Sequence, residues 1–386
     1  MRVAHVLDDL TAVGGVQTYL TQLLPALRER GVESVLIAAA GPAEWVGTSV
    51  VTVAGLDADG PRLSADALVG LERALGDASP DVVYVHIALS PAVADAASAY
   101  APVVVYAHDF FMRCPGGARY LHRSVRFCQE GPGARCFVRA YTERSTNRRP
   151  DRVLRAYRRV RAWPATLPAL RRVLVASPFV RDVLAAEGVE LDRLRVVPYP
   201  IAPATTVDAP QTRDVLYLGR LTASKGVHVL LEALANLEGV TVAIAGDGPE
   251  RASLEERAAR LDLVGRVEFL GWVDQSARPS LFASARVLAL PSLWQEPFGM
   301  VGVEAFAAGL PVVASDVGGI PSWLHEGAAG LLVPAGDAAR LADAISRVLG
   351  DEELRSELAA RGPREAERFS MESHLELLLP ELEGSA

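Results

Sequence analysis

Residues 291–319 read PSLWQEPFGMVGVEAFAAGLPVVASDVGG. An apolar run at 287–290 ends at Pro291, a loop carries Glu296, a helical pattern starts near Phe298 and holds Glu304, and a second apolar run at 311–314 leads to Gly318 and Gly319. Strand, loop, helix and strand in that order make a unit whose helix covers a parallel sheet. Outward from this unit, short β-branched runs alternate with helical patterns along the chain. The runs lie at 3–7, 34–39, 50–54, 81–85, 103–107, 173–176 and 195–198, then at 214–218, 240–245, 267–270, 287–290, 311–314 and 330–333. With 386 residues the chain exceeds one hydrophobic core. The pattern predicts an α/β protein of two doubly wound, Rossmann-like domains. The proline-rich stretch 198–212 has no period and separates them, giving a domain at 1–200, a linker at 201–212 and a domain at 213–370. Leu375, Leu378, Leu379 and Leu382 mark a terminal helix within 371–386 that packs back on the first domain.

Charge is distributed unevenly. The net charge is −8, yet residues 113–172 hold 16 arginines against Glu130, Glu143 and Asp151, a local +13 on a remainder of −21. Around 152–161, Val153, Tyr157 and Val160 form a stripe that leaves Arg155, Arg158 and Arg159 outward, and Arg119, Arg123 and Arg126 belong to the same basic segment. The segment either is a solvated face or meets an anionic acceptor or an acidic membrane; no nucleic-acid partner is expected. No run approaches the roughly 18 to 20 apolar residues of a membrane span. Asp8 and Asp9 fall where a signal peptide would stay apolar, so a cytoplasmic location is expected, with peripheral membrane contact through the basic segment. Cys114, Cys128 and Cys136 lack a CxxC pairing, which favours free thiols over a zinc site completed by His122.

Other strand ends carry anion-binding chemistry. Gly14-Gly15 stands between the first run and a helix beginning near Val16, where backbone N–H groups and the helix dipole favour negative charge. The three spaced glycines of a dinucleotide fingerprint are missing. GRLTASKG, residues 219–226, again follows a strand, and Arg220 and Lys225 bracket a turn where both can converge on a diphosphate. It is not a P-loop, since Gly226 stands where Ser or Thr would hold magnesium. Lys225 is the one lysine among 39 basic residues, which points to a use for a compact ammonium. Eight residues at about 100° each put Glu296 and Glu304 on neighbouring faces near one cleft. The amides of Gly299, Met300 and Val301 lie between them as first-turn donors for a phosphate.

The Glu-x7-Glu spacing within EPFG…E, with LPVVAS and Gly-Gly after it, GRL…KG before it and AGDGPE at 245–250, resembles family 4 of the retaining glycosyltransferases. The likeness spans the C-terminal half; in the N-terminal half it rests on Gly14-Gly15 and on His108-Asp109 after a strand. It implies the GT-B fold, with a donor cleft between the two domains. It also implies retaining transfer of a hexosyl-type sugar from a nucleotide-diphosphate donor, UDP favoured, to a hydroxyl acceptor. No metal or other cofactor is expected. By that resemblance Arg220 and Lys225 neutralise the diphosphate with Gly14, Gly15 and the amides of Gly299, Met300 and Val301. Glu304 holds the ribose, the backbone at Val273 meets the base, and Glu296 with Phe298 and Gly299 positions the donor sugar. His108 touches the sugar transferred, so the catalytic set is Glu296, His108, Arg220 and Lys225. Two rival readings remain: an epimerase of the same fold, and a sensor that binds nucleotide sugar or polyanions without turnover. Asp57-Ala58-Asp59 spells the Asp-x-Asp of metal-dependent transferases and is read as a loop before Gly60-Pro61.

Overall fold

Parallel strands covered by helices on both faces are written as continuous apolar runs, and the chain forms two sheets of this kind. The computed structural model describes residues 1–11, 14–86, 90–202, 207, 209–325 and 328–384. The expected linker at 201–212 includes 203–206 and 208, and the expected terminal helix includes 385–386, all outside the described residues. Two compact units result, Met1–Pro200 with Met371–Ala386, and Ile201–Ser370.

The first unit contains β1 (Arg2–Asp9), β2 (Glu33–Ala40), β3 (Glu44–Trp45), β4 (Thr48–Thr52), β5 (Val82–Val85), β6 (Val103–Ala107), β7 (Tyr120–Leu121), β8 (Arg126–Phe127), β9 (Leu170–Val175) and β10 (Leu194–Val196). Eight of them make one sheet in the order β10-β9-β6-β5-β1-β2-β4-β3, parallel except for β3 against β4. β5 and β6 are buried at every position, and Leu71, Leu75, Val93, Trp163 and Leu184 fill the core beside them. The helix Met371–Glu383 belongs to this unit: Glu381 binds Arg172 at 2.8 Å and Arg195 at 3.2 Å, and Leu382 O accepts from Arg171. His374 fixes it further. Its Nδ1 lies 2.7 Å from the Pro198 carbonyl, which can only accept, so Nε2 accepts a hydrogen bond from the Tyr19 hydroxyl at 2.9 Å and Tyr84 in turn donates to the Tyr19 oxygen.

The long segment after Phe110 is built rather than open, holding the β7–β8 hairpin and the helix Arg135–Thr142. The next helix, Pro150–Thr166, corrects two sequence expectations. Its buried stripe is Val153, Ala156, Val160 and Trp163, with Tyr157 half-buried against Phe137. Arg159 is not outward: it is 1% exposed, paired with Asp59 and donating to the carbonyls of Cys114 and Pro115. Arg119 is likewise buried, against Glu187 and the Cys128 carbonyl. A guanidinium with a carboxylate and carbonyls around it meets the condition for burying a charge, which a count of charges along the sequence cannot see.

The second unit holds β11 (Arg213–Leu218), β12 (Val242–Ala245), β13 (Val267–Gly271), β14 (Ala285–Leu290), β15 (Val312–Ser315) and β16 (Gly330–Val333). The sheet order is β13-β12-β11-β14-β15-β16 and every pair is parallel, which is the doubly wound arrangement the alternating runs imply.

Candidate functional site

In an open parallel sheet, ligands bind at the carboxyl ends of the two strands from which successive connections leave in opposite directions. In the second unit those strands are β11 and β14, and the loops after them are GRLTASKG and the loop that carries Glu296. Main-chain bonds join the two loops: the amides of Leu293 and Trp294 donate to the Ser224 carbonyl at 2.9 and 3.1 Å. Gly226 makes the approach possible. Its φ is 70°, and a Cβ there would lie 1.9 Å from the Pro291 carbonyl oxygen, so only glycine fits. As a consequence Lys225 Nζ reaches Glu296 Oε1 at 2.6 Å and sits 5.3 Å from the centre of the Trp294 ring. Ser292 Oγ donates to the same carboxylate oxygen at 2.7 Å. Glu296 is also held from behind. Its carbonyl accepts from Gly319 N at 2.7 Å, and Gly318, at φ 59°, lies so near that a Cβ would fall 2.2 Å from that carbonyl oxygen. The distal Gly-Gly of the sequence motif is therefore the seat of the Glu296 loop.

The helix that follows begins at Met300, two residues later than the sequence pattern implies, because Gly299 at φ 91° is its N-cap. Gly299 thus belongs to the loop, and Met300 and Val301 supply first-turn amides. Glu296 is off the helix, so counting helical angles between it and Glu304 does not apply. Each carboxylate instead has its own cation, Lys225 for Glu296 and Arg278 for Glu304, the latter with Nη1 at 2.9 and 3.1 Å from the two oxygens. Burial raises the Glu304 carboxyl above its ordinary range, and Arg278 opposes the shift. The Phe298 ring is buried against Phe369, while its carbonyl accepts from Trp323 Nε1 at 2.6 Å. Arg220 is exposed at the start of its loop, its carbonyl receiving the Tyr217 hydroxyl at 2.9 Å, and Val273 is half-buried just beyond β13. Arg278, Ser292 and Gln295, whose Oε1 accepts from Gly318 N, went unread in the sequence, since no local pattern signals contacts made across the fold.

The remaining expected residues lie in the first unit. Gly14 is the N-cap of the helix Gly15–Glu29, and His108 and Asp109 follow β6. Asp109 Oδ1 accepts from Phe111 N at 2.8 Å, and burial pushes its carboxyl up to about 7. His108 Nδ1 is 2.6 Å from the Tyr199 hydroxyl, and burial lowers its imidazole to about 3, which keeps it neutral. Cys114, Cys128 and Cys136 are free thiols, and among the described residues no group of three or more His, Cys, Asp or Glu is arranged to hold a metal.

Two family models adjoin along the chain: "Glycosyltransferase Family 4" matches residues 13–204 and "Glycosyl transferases group 1" matches residues 205–365. The chain belongs to the group 1 glycosyltransferases. Among relatives of this group 1 glycosyltransferase, the lipopolysaccharide core biosynthesis glycosyltransferase LpsE of Rhizobium meliloti is 43% identical over 159 residues, 41% of this chain and 45% of that protein. A phosphatidyl-myo-inositol mannosyltransferase of Mycolicibacterium smegmatis is 38% identical over 207 residues, 50% of this chain and 51% of that protein. The match spans about half the length of each. HepE of Anabaena, crystallised with UDP, superposes over 100% of both chains with a TM-score of 0.73 at 20% identity, a likeness of fold. That fold is GT-B, with two Rossmann-like domains. Among the described residues no helix is long and apolar enough to cross a membrane.

Proposed function

We propose that this glycosyltransferase moves a hexosyl-type sugar from a UDP-sugar to a hydroxyl acceptor with retention and without a metal ion. The observation that carries the reading is the Lys225, Ser292 and Glu296 cluster at the switch between β11 and β14, seated by Gly226 and Gly318. Arg220 and Lys225 would meet the diphosphate, and Glu304, whose anion Arg278 favours against burial, would accept from the two ribose hydroxyls. Glu296 would orient the donor sugar, with Phe298 and Gly299 offering main-chain groups and His108 of the first unit meeting the sugar. As the sugar C1–O bond to phosphate breaks, charge grows on the leaving oxygen where these cations stabilise it. The acceptor oxygen forms the new bond from the same face, and its proton passes to the departing phosphate. The unit 213–370 is thus the donor domain and 1–200 the acceptor side. The UDP preference draws on the family and on the UDP found with HepE.

The test is a panel of UDP-, GDP- and ADP-sugars in EDTA, with the product anomer read by NMR. We expect UDP release and a retained configuration. Glu304→Gln should chiefly weaken donor binding and Glu296→Gln chiefly slow turnover. An inverted product, or turnover restored only by manganese, would refute the reading.

A second reading concerns location. Ten arginines between Arg123 and Arg161 are exposed, and Val138, Tyr141 and Leu154 are exposed among them. The hairpin and the helix Arg135–Thr142 are joined by His122 N to Glu143 O, and that helix meets the next through Phe137 and Tyr157. Charge with exposed apolar side chains fits an anionic membrane surface better than a soluble anion.

A further inference from the structure

His108 follows β6 with its ring stacked on Tyr106, centroids 4.5 Å apart, and on Tyr199 at 5.6 Å. Its Nδ1 stands 2.6 Å from the Tyr199 hydroxyl, while its Nε2 is shielded from solvent and has no hydrogen-bond partner among the described residues. Both groups are neutral, since burial holds the imidazole down to about 3 and the phenol well above its ordinary range. One proton therefore lies in the bond between them, and the question is whose. A separation of 2.6 Å lies below the range of N–H···O bonds and within that of O–H donors. The phenol is also the stronger acid of the two neutral donors. Tyr199 then donates, Nδ1 accepts, and the imidazole proton must sit on Nε2. The Tyr199 ring has little freedom to turn away, being stacked on Tyr106 at 5.3 Å and edge-on to Tyr19 at 5.7 Å. The chain just before it is pinned by the bond between His374 and the Pro198 carbonyl.

We infer that Tyr199 is a positioning residue for sugar transfer: it locks His108 in the Nε2–H tautomer, so that a buried N–H without an acceptor among the described residues is presented to a hydroxyl oxygen of the transferred sugar. The inference rests on the reading that His108 meets that sugar. It makes His108 a fixed neutral donor rather than a proton shuttle, and it gives Tyr199 a task that a merely packed tyrosine would lack.

Long-range ¹H–¹⁵N correlation spectra of the imidazoles report the tautomer without reference to activity. The wild type should show His108 as Nε2–H, and Tyr199→Phe should shift it to a mixture or to Nδ1–H. The same variant should lower kcat about tenfold, the worth of one hydrogen bond, with the Kd for UDP changed by less than about twofold. His108→Gln places an amide N–H near the Nε2 position without help from Tyr199. In that background, adding Tyr199→Phe should cost less than about twofold in kcat, because the two residues act as one unit. A wild-type Nδ1–H tautomer, an unchanged kcat in Tyr199→Phe, or an equal tenfold loss in the His108→Gln background would overturn the inference. Failure of the proposed function looks different: the wild type would turn over no nucleotide sugar, while the spectra would still report the tautomer.

Discussion

Glu304 shows how one residue depends on another that lies far from it in sequence. Burial alone would favour its neutral form, in which one oxygen carries a proton and grips a diol poorly, and Arg278 at 2.9 and 3.1 Å favours the anion. Replacing Arg278 by Met keeps the stem and removes the charge. The expected outcome is a Kd for UDP raised about tenfold with kcat at saturating donor nearly unchanged, as calorimetry and initial rates would measure. An unchanged Kd would reduce Arg278 to packing. The sequence nominates the two glutamates because their eight-residue spacing lies in a motif that resembles the family's. Arg278 is not nominated, since it is one arginine among 38 and meets Glu304 only across 26 residues of sequence. The same holds for Lys225 and Glu296, which the sequence nominates singly and the fold joins across 71 residues.

At the scale of elements, long apolar runs were read correctly because parallel strands buried on both faces leave a strong signal. β3, β7 and β8, at two residues each, are too short to show any period. The helix Pro150–Thr166 was legible as a helix but not in its loading, because Arg159 turns inward to Asp59, 100 residues away. Its outer face is Leu154, Arg155, Arg158 and Arg161. Changing those three arginines to Glu should release the protein from vesicles rich in phosphatidylglycerol. At about 1 kcal/mol per basic residue near an anionic surface, the partition coefficient should fall by roughly 100-fold or more. Wild-type binding should also weaken as salt rises, and donor hydrolysis should not change. Sedimentation with vesicles reads the effect, and equal binding by the variant would leave the arginines as a solvated face.

For the whole molecule, the first unit carries His5 and His108 held down to about 3, His374 held to about 4, and His86 held well below its ordinary value by burial. Their folded values lie below the unfolded value, so the stability they contribute is full above about 6.5 and is lost as pH falls toward 4, when only the unfolded chain takes up protons. Asp109, raised to about 7, and Asp8, also raised by burial, act in the opposite sense across that window. With each histidine worth up to about 1.4 kcal/mol per pH unit, the net loss is on the order of 3 kcal/mol per unit. The first unit should therefore unfold at mildly acidic pH, before the second, in hydrogen exchange followed from pH 7 to 4. Equal protection of its strands at pH 4 and pH 7 would contradict that. If the loops after β11 and β14 bind a nucleoside diphosphate without a metal, as proposed, UDP titrated into the protein in EDTA shows it directly. The wild type should bind at a single saturable site, and the Arg220→Ala, Lys225→Ala double variant should bind at least about 30-fold more weakly, since even one charge-assisted contact contributes on the order of 2 kcal/mol. Equal affinity in the double variant, or wild-type binding that appears only with added manganese, would contradict it.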